Sequence, residues 1–333
     1  MGSIKQYAAA IFAVALMLCG NEARAAADEG CPGVFYDDEG SSVQVLLNLY
    51  QEERYENLDA LLACALQDKK TLKSGKPANA VIYQFYRRAM HAPGSTPAEV
   101  QRVQNWAAKR PTSLFAEFAA LRLRYAMAWN TRGGRVASKT ADEQMRAFQQ
   151  QMSELEAAMY RASAELRGTP MWHQLLLALA GDARTQRADL ASAFDTGVKL
   201  WPTNYDFHDV MLTRLVPRWG GSWEMVESFI THYAVQRKDA RESDAMYARL
   251  YGNMLLATRE DPRSTRLDSK RLLRGIDALN DLYPDQRHRN LAASLACFYR
   301  DPALFKKHAA YLAGTDYRTS GWLRGTDLPS CSV

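Results

Sequence analysis

The sequence predicts an all-α protein, a solenoid of stacked helical hairpins with irregular terminal helices. Apolar residues recur at helical spacing between Pro, Gly, Thr and Ser residues that start or stop helices. No stretch alternates apolar and polar residues for more than a few positions, so we expect no sheet. An irregular helical bundle is the alternative architecture.

The prediction of stacked hairpins rests on a repeated spacing. Two predicted helices carry apolar or small residues at the same offsets, and a proline follows each helix at the same distance. This arrangement resembles the second helix of a tetratricopeptide repeat. Besides these two series, Ala158, Ala162, Glu165 and Pro170 follow the spacing more loosely, and the separation of Pro170 and Pro202 is close to that repeat's period of about 34 residues. The two series are Leu190, Phe194, Gly197 and Pro202, and Leu272, Ile276, Leu279 and Pro284.

Residues 1–25 have the pattern of a secretory signal peptide. Lys5 precedes an apolar run over 8–18, which is shorter than the roughly 20 residues that a membrane-spanning helix needs. Ala23 and Ala25 provide the small residues of a cleavage site. We therefore expect an exported chain, periplasmic or secreted.

Two further observations concern the membrane. Cys19 allows a lipoprotein alternative, but Leu18 directly before it is too bulky for the usual small residue, so a lipid anchor is not favoured. No second long apolar run follows, and no transmembrane helix is expected in the mature chain.

The mature chain, 26–333, is predicted to be one helical-repeat domain. It has N-terminal helices over 26–110, central repeats over 111–236 and C-terminal repeats over 237–333. Two N-terminal helices break near Glu53. A polar segment with Gly and Pro, 69–77, is predicted to be a linker.

Helix starts and stops are explicit further along the chain. Residues 96–99 and 140–143 are each predicted to form a capping box, and the second predicts a helix that reaches about Leu166. An apolar helix is predicted over 114–129, and the N-T-R-G-G turn at 130–134 stops it.

Two helices of the central part are predicted in the same way. Thr169 and Pro170 open a helix that meets a stop at Gly181, and a second helix covers 187–200. Beyond them, Ser222 is a predicted N-cap.

The charge argues against a nucleic-acid partner. The formal net charge of +5 is mild, and removal of the leader lowers it further. The densest basic region, 259–289, interleaves its arginines with aspartates and a glutamate. A nucleic-acid surface needs a face of one sign, so a solvated helix face is the favoured interpretation.

Four cysteines remain after the leader, and an even number in an oxidising compartment suggests two disulfides with three possible pairings. Two cysteines lie in turn-rich terminal segments and two lie inside apolar helical runs. We predict that each bond ties a chain end onto a terminal helix, with free buried thiols in the helices as the alternative. The predicted pairs are Cys31 with Cys64 and Cys297 with Cys331.

Four segments carry a family resemblance. They read A-W-N-T-R-G-G at 128–134, P-R-W-G-G-S-W-E at 217–224, N-L-A-A-S-L-A-C-F-Y at 290–299 and L-L-N-L-Y-Q-E-E-R-Y-E-N-L-D-A-L-L-A at 46–63. Together they resemble a bacterial family catalogued as domain of unknown function 4034. The resemblance implies an all-helical, repeat-like fold over nearly the whole mature chain, with no assigned activity.

The same segments supply the candidate binding residues Trp129, Arg132, Trp219 and Trp223. The tryptophans of 217–224 either wedge neighbouring repeats together or line a ligand groove with their indole N–H groups, and we favour the wedge. Arg132 lies beside two glycines. It either holds a phosphate or carboxylate or closes the turn by binding helix-terminal carbonyl groups, and we favour the second role.

No catalytic residue is nominated by the sequence. It has no H-E-x-x-H, G-x-S-x-G, S-x-x-K or phosphate-loop motif and no close cysteine pair. The six histidines are scattered without the spacing of metal ligands. We therefore expect no metal and no cofactor.

Two functions of different classes follow. The favoured one is an exported, non-catalytic scaffold of the bacterial envelope that captures a protein or peptide segment; it rests on the repeat spacing and the 10% aromatic content. The alternative is an envelope hydrolase or carbohydrate-binding protein with a cleft between helices. A glycosidase of that kind needs two carboxylates roughly 5–10 Å apart.

Overall fold

The computed structural model describes most of the chain from residue 39 onward. Within the described residues every regular element is helical, and the sole β feature is an isolated bridge between Thr71 and Pro77. The predicted all-α class is confirmed. The described residues are 39–91, 94–135, 139–183, 189–312, 321–326 and 328–331.

The helices follow one another with short connections. Two 3₁₀ turns, Pro217–Trp219 and Pro262–Ser264, lie between α-helices of the second half. The α-helices are α1 (Glu39–Gln51), α2 (Tyr55–Gln67), α3 (Ala80–Ala89), α4 (Pro97–Lys109), α5 (Leu114–Arg132), α6 (Asp142–Arg161), α7 (Ala164–Arg167), α8 (Pro170–Asp182), α9 (Leu190–Leu200), α10 (Asp206–Leu215), α11 (Trp223–Val235), α12 (Ala240–Thr258), α13 (Ser269–Leu282), α14 (Gln286–Phe298), α15 (Pro302–Ala310) and α16 (Leu328–Cys331).

Packing is mainly between helices that are close in sequence. Most helices contact the next one along the chain, and α8, α10 and α12 also contact one another in series. Two buried apolar clusters result, one built from residues between 43 and 207 and the other from residues between 205 and 323. The helix faces that the apolar periodicity marks are the faces that meet in these clusters.

Several predicted helix starts are confirmed because their signals are local. Thr96 accepts a hydrogen bond from the Glu99 amide and the Glu99 side chain accepts one from the Thr96 amide, which completes the capping box. Thr169 and Ser222 also cap their helices. Glu53 lies between α1 and α2 with φ +54°, at the predicted break.

The second predicted capping box is wrong. The residue before α6 is Ala141, which offers no side-chain cap, and α6 ends at Arg161 rather than near Leu166. A new helix start follows at Ser163, whose amide and hydroxyl both donate to the carboxylate of Glu117 on α5. A carboxylate far away in sequence therefore binds the chain at the point where the predicted single helix is divided in two.

Two predicted boundaries in the central part also differ. Helix α5 continues to Arg132, so the first residues of the predicted turn are helical and the chain leaves the helix at Gly133. Helix α9 begins at Leu190 after the capping aspartate Asp189, later than the predicted 187–200. In each case the cap, and not the apolar pattern, fixes the end of the helix.

The segment 69–77, predicted to be a linker, is partly buried. Its Lys76 side chain is 2% exposed and lies with Nζ 2.7 Å from Oδ1 of Asp206 and 3.2 Å from Oε1 of Glu39. Arg249 on α12 donates to the carbonyl oxygen of Ser74 at 2.7 Å. We call residues 68–79 the Lys76 loop. It joins the first helices to helices far along the chain.

Tyr283, directly after α13, packs against the Lys76 loop. Gly75 has φ +79°, and a Cβ at this position would fall 2.6 Å from the Tyr283 ring. Only glycine therefore fits here, because both the backbone conformation and the ring exclude a side chain.

One of the two predicted disulfides is confirmed, and the other involves a residue that the structure does not describe. Cys297 at the end of α14 and Cys331 in α16 form a disulfide, with their Cα atoms 5.6 Å apart. Cys64 also takes part in a disulfide. Its predicted partner Cys31, the predicted signal peptide over 1–25 and Cys19 lie outside the described residues. None of the described helices is long and apolar enough to cross a membrane.

Candidate functional site

Three of the four candidate binding residues meet in one place. The Trp129 and Trp219 rings stand edge to face with their centroids 6.2 Å apart, and the Arg132 guanidinium lies 4.9 Å from the Trp129 centroid and 5.9 Å from that of Trp219. Asp182 and Arg214 complete the group. We call these five residues the Arg–Trp cluster.

Asp182, at the end of α8, holds the Arg–Trp cluster together. Its carboxylate is fully buried, and Oδ1 lies 2.6 Å from Nη2 of Arg214. The other oxygen accepts hydrogen bonds from the Tyr125 hydroxyl and, at 3.1 Å, from Nε1 of Trp129. Burial raises the pKa of Asp182 above its usual range, although Arg214 and the two hydrogen bonds lower it.

Arg132 performs the turn-closing role that its sequence context favours. Its Nη1 donates to the carbonyl oxygens of Gly133 at 3.2 Å and Arg135 at 3.1 Å, just beyond the end of α5. The side chain is 6% exposed. Its guanidinium also lies 5.9 Å from the Phe148 centroid, so it is fixed between three aromatic rings.

Arg214, near the end of α10, extends across α8. A Cβ at Gly181 would fall 2.6 Å from Nε of Arg214, so the glycine leaves the space that the arginine occupies. The sequence predicts a helix stop at Gly181, but α8 continues through it to Asp182. The Arg214 guanidinium then lies 5.6 Å from the Trp219 centroid.

Trp219 is the exposed member of the cluster. It ends the 3₁₀ turn before Gly220, which adopts φ +92°, and 42% of its surface is exposed. A large ring held on one side by Trp129 and Arg214 and open on the other presents a rigid apolar surface to solvent. Such rings contribute contact area at small entropic cost.

Trp223 does not join the cluster. It opens α11 and packs, partly buried, against the second apolar cluster. The wedge role favoured by the sequence therefore describes Trp223 better than Trp219. The two tryptophans are close in sequence, but the turn at Gly220 sends them to different parts of the fold.

Sequence reasoning misses Asp182, Arg214 and Tyr125. One signal is available: Asp182 ends the long apolar run L-L-L-A-L-A-G-D, where a buried charge needs a partner. The sequence does not identify that partner. Arg214 lies on another helix, and many arginines of this chain have an equivalent place near a helix end.

The cluster combines buried opposite charges with aromatic rings. Two guanidinium groups and one carboxylate leave a surplus positive charge beside two indole rings, and the cluster holds no nucleophile or free general base. Within the described residues no group of three His, Cys, Asp or Glu side chains is placed to hold a metal ion. Comparisons of the chain with protein-family models, curated proteins and solved structures returned no match.

Proposed function

We propose that this chain is an exported, non-catalytic helical-repeat protein that captures a protein or peptide segment on the Arg–Trp cluster. The observation that carries the proposal is the half-exposed Trp219 ring, fixed against Trp129 with two guanidinium groups within 6 Å. Tryptophan and arginine are the residue types most enriched where binding energy concentrates in interfaces.

The charge of the cluster specifies the partner. Arg132 and Arg214 outnumber Asp182, and the neighbouring Arg218 is exposed. An acidic segment with an aromatic or aliphatic side chain complements this surface, because its carboxylates are attracted by the surplus positive charge and can reach the exposed Arg218, while the apolar group packs on Trp219.

Two finer features belong to the same proposal. The serial packing of α8, α10 and α12 supports a solenoid of tetratricopeptide type, since equivalent helices of consecutive repeats contact one another in that architecture. Export is supported by the apolar run of the leader, and the disulfide is compatible with it. Membership of the family of domain of unknown function 4034 is proposed on the motifs alone.

Replacement of Trp219 by Ala is expected to reduce partner capture about tenfold, because the exposed ring is the apolar anchor of the surface. The measurement is quantitative mass spectrometry of proteins retained from the envelope fraction of the source cells, followed by direct titration of acidic and basic peptides from the retained proteins. We expect the acidic peptides to bind and the basic ones not to.

Val235→Ala is the matched control, since Val235 is an apolar residue that is 62% exposed at the end of α11 and is not part of the Arg–Trp cluster. Equal capture by both variants would remove the Arg–Trp cluster from the proposal. If no partner is retained and the purified chain degrades wall material, the enzyme alternative replaces the scaffold.

A further inference from the structure

A pocket lies near the N-terminal end of the described chain. It has a volume of about 330 Å³, opens between α1, α3 and α4 and shares no residue with the Arg–Trp cluster. That volume lies within the range of small-molecule sites, roughly 300–1,000 Å³. Its wall includes Leu47, Tyr50, Arg88, Ala89, Glu99 and Arg102.

Tyr50 lines this pocket, and its hydroxyl is an unused donor. The residue is 2% exposed, and its buried hydroxyl has no hydrogen-bond partner among the described residues. The ring is held by Phe85 and Trp106, with centroids 5.9 and 6.0 Å away. Burial raises the pKa of Tyr50 well above its usual range, so the hydroxyl is protonated and donates at neutral pH.

A buried hydroxyl without a partner is costly. Such a group loses its hydrogen bonds to water on folding, and this loss of free energy is not compensated unless an acceptor in the protein or a ligand replaces the water. An acceptor atom of a bound molecule restores that bond. The Tyr50 hydroxyl therefore points to a ligand that carries an oxygen acceptor.

Two arginines give the pocket its charge. Arg88 lies in the last turn of α3 and Arg102 in the middle of α4, and neither guanidinium forms an ion pair or hydrogen bond within the described part of the chain. Glu99 is the opposing charge, but its Oε2 accepts from the Thr96 amide in the capping box. The pocket has a net charge of one positive unit when His91 is neutral.

We propose that this pocket binds a carboxylate attached to a short apolar group. A planar carboxylate accepts paired hydrogen bonds from a guanidinium, and its charge of one matches the net charge of the wall. The Tyr50 hydroxyl supplies a further donor. Leu47 and Ala89 form the apolar side, which takes the hydrocarbon part of the ligand.

A carboxylate attached to a short apolar group occurs in two kinds of ligand, a free short-chain acid and the C-terminal residue of a peptide. Isothermal titration of the full chain separates them with 3-methylbutanoate and a tetrapeptide that ends in leucine. We expect at least one of the two to bind with a Kd of about 1 mM or lower. Whichever binds more tightly identifies the source.

Neutral and dianionic probes test the charge match. The matching amides, 3-methylbutanamide and the amidated tetrapeptide, are expected to bind about tenfold more weakly, because a neutral group forms no charge-assisted hydrogen bond. Inorganic phosphate is expected to bind more weakly than the carboxylates. Tighter binding of phosphate, equal binding of the amides, or no heat with either carboxylate would overturn the proposal.

Variants locate the binding. Arg88→Ala and Arg102→Ala are each expected to weaken carboxylate binding about tenfold. Tyr50→Phe keeps the packing of the ring but removes the hydroxyl, and it is expected to weaken carboxylate binding severalfold. Arg87→Ala removes the same charge from the neighbouring position of α3, outside the pocket wall, and is expected to bind as the parent chain does.

These variants also allow the carboxylate pocket and the Arg–Trp cluster to be tested independently. Circular dichroism checks that each variant is folded, and Tyr50→Phe covers the case in which an arginine variant fails to fold. Unchanged affinity in both arginine variants would place the binding elsewhere and end the proposal. The Trp219→Ala variant is expected to bind the carboxylate normally, so failure of one site leaves the other untouched.

Discussion

Replacement of Lys76 by Met is expected to lower the free energy of unfolding by about 3–5 kcal/mol, because it leaves buried carboxylates without their cation. The Lys76 ammonium lies against Asp206 and Glu39, and Asp206 is itself 3% exposed. Burial by itself lowers the pKa of Lys76, but Asp206 and Glu39 raise it above its usual range, so the lysine is charged at neutral pH. Urea unfolding followed by circular dichroism measures the change.

Two controls separate the buried charge from a general effect of losing a lysine. Lys109→Met breaks an ion pair with Glu53 in which the lysine is 57% exposed, and the free energy of unfolding is expected to be nearly unchanged. The double variant Lys76→Met with Asp206→Asn is expected to be more stable than the single one, since one unpaired carboxylate is removed. A single variant as stable as the parent would contradict the structural role of the Lys76 loop.

The variant His208→Leu is expected to reduce the loss of stability between pH 7.5 and pH 5 by about 2 kcal/mol. Both ring nitrogens of His208 are buried without a hydrogen-bond partner in the described structure, and the ring is 1% exposed. Desolvation by burial, with a smaller contribution from Arg237, lowers the pKa of His208 to about 3.

The direction of the pH dependence follows from this depressed pKa. The unfolded chain binds a proton near pH 6.5, whereas the folded chain resists it until about pH 3. Stability from the neutral ring is therefore complete above pH 6.5 and is lost progressively as the pH falls toward 3. Leucine does not titrate, so that part of the loss disappears in the variant.

The measurement is urea unfolding of both proteins at pH 7.5 and pH 5. Comparing each protein with itself at two pH values cancels the packing change of the substitution. Phe194→Leu is the matched control, because its ring lies 5.5 Å from that of His208 in the same aromatic group. It is expected to lower stability equally at both pH values. An identical pH dependence in His208→Leu and the parent would contradict the buried neutral histidine.

Among the described residues, the rings packed around His208 provide no counter-charge for a protonated imidazole. The ring lies among four aromatic side chains, the closest of them Tyr233 with its centroid 4.6 Å away. None of these neighbours carries a negative charge at neutral pH. Asp209 is adjacent in sequence, but it accepts hydrogen bonds from Asn253 instead. The four aromatic residues are Phe194, Tyr205, Phe229 and Tyr233.

The candidate site is predictable from the sequence in part. Trp129, Arg132 and Trp219 lie beside glycine-containing turns, where large side chains stand out as candidates. The turn-closing role of Arg132 is also predictable, because the carbonyl oxygens it binds are one and three residues away. The pairing of Asp182 with Arg214 is not predictable, because the local sequence pattern does not determine how α8 packs against α10.

The sequence by itself determined the helical class and several helix starts, including those at Thr96, Thr169 and Ser222. Apolar periodicity and side-chain caps act within about four residues, so the local pattern contains the whole interaction. Tertiary structure alone decided that the segment 69–77 is partly buried and that Lys76 meets Asp206, 130 residues away. A buried charge is stable only beside its counter-charge, and which counter-charge it meets depends on how the helix faces pack.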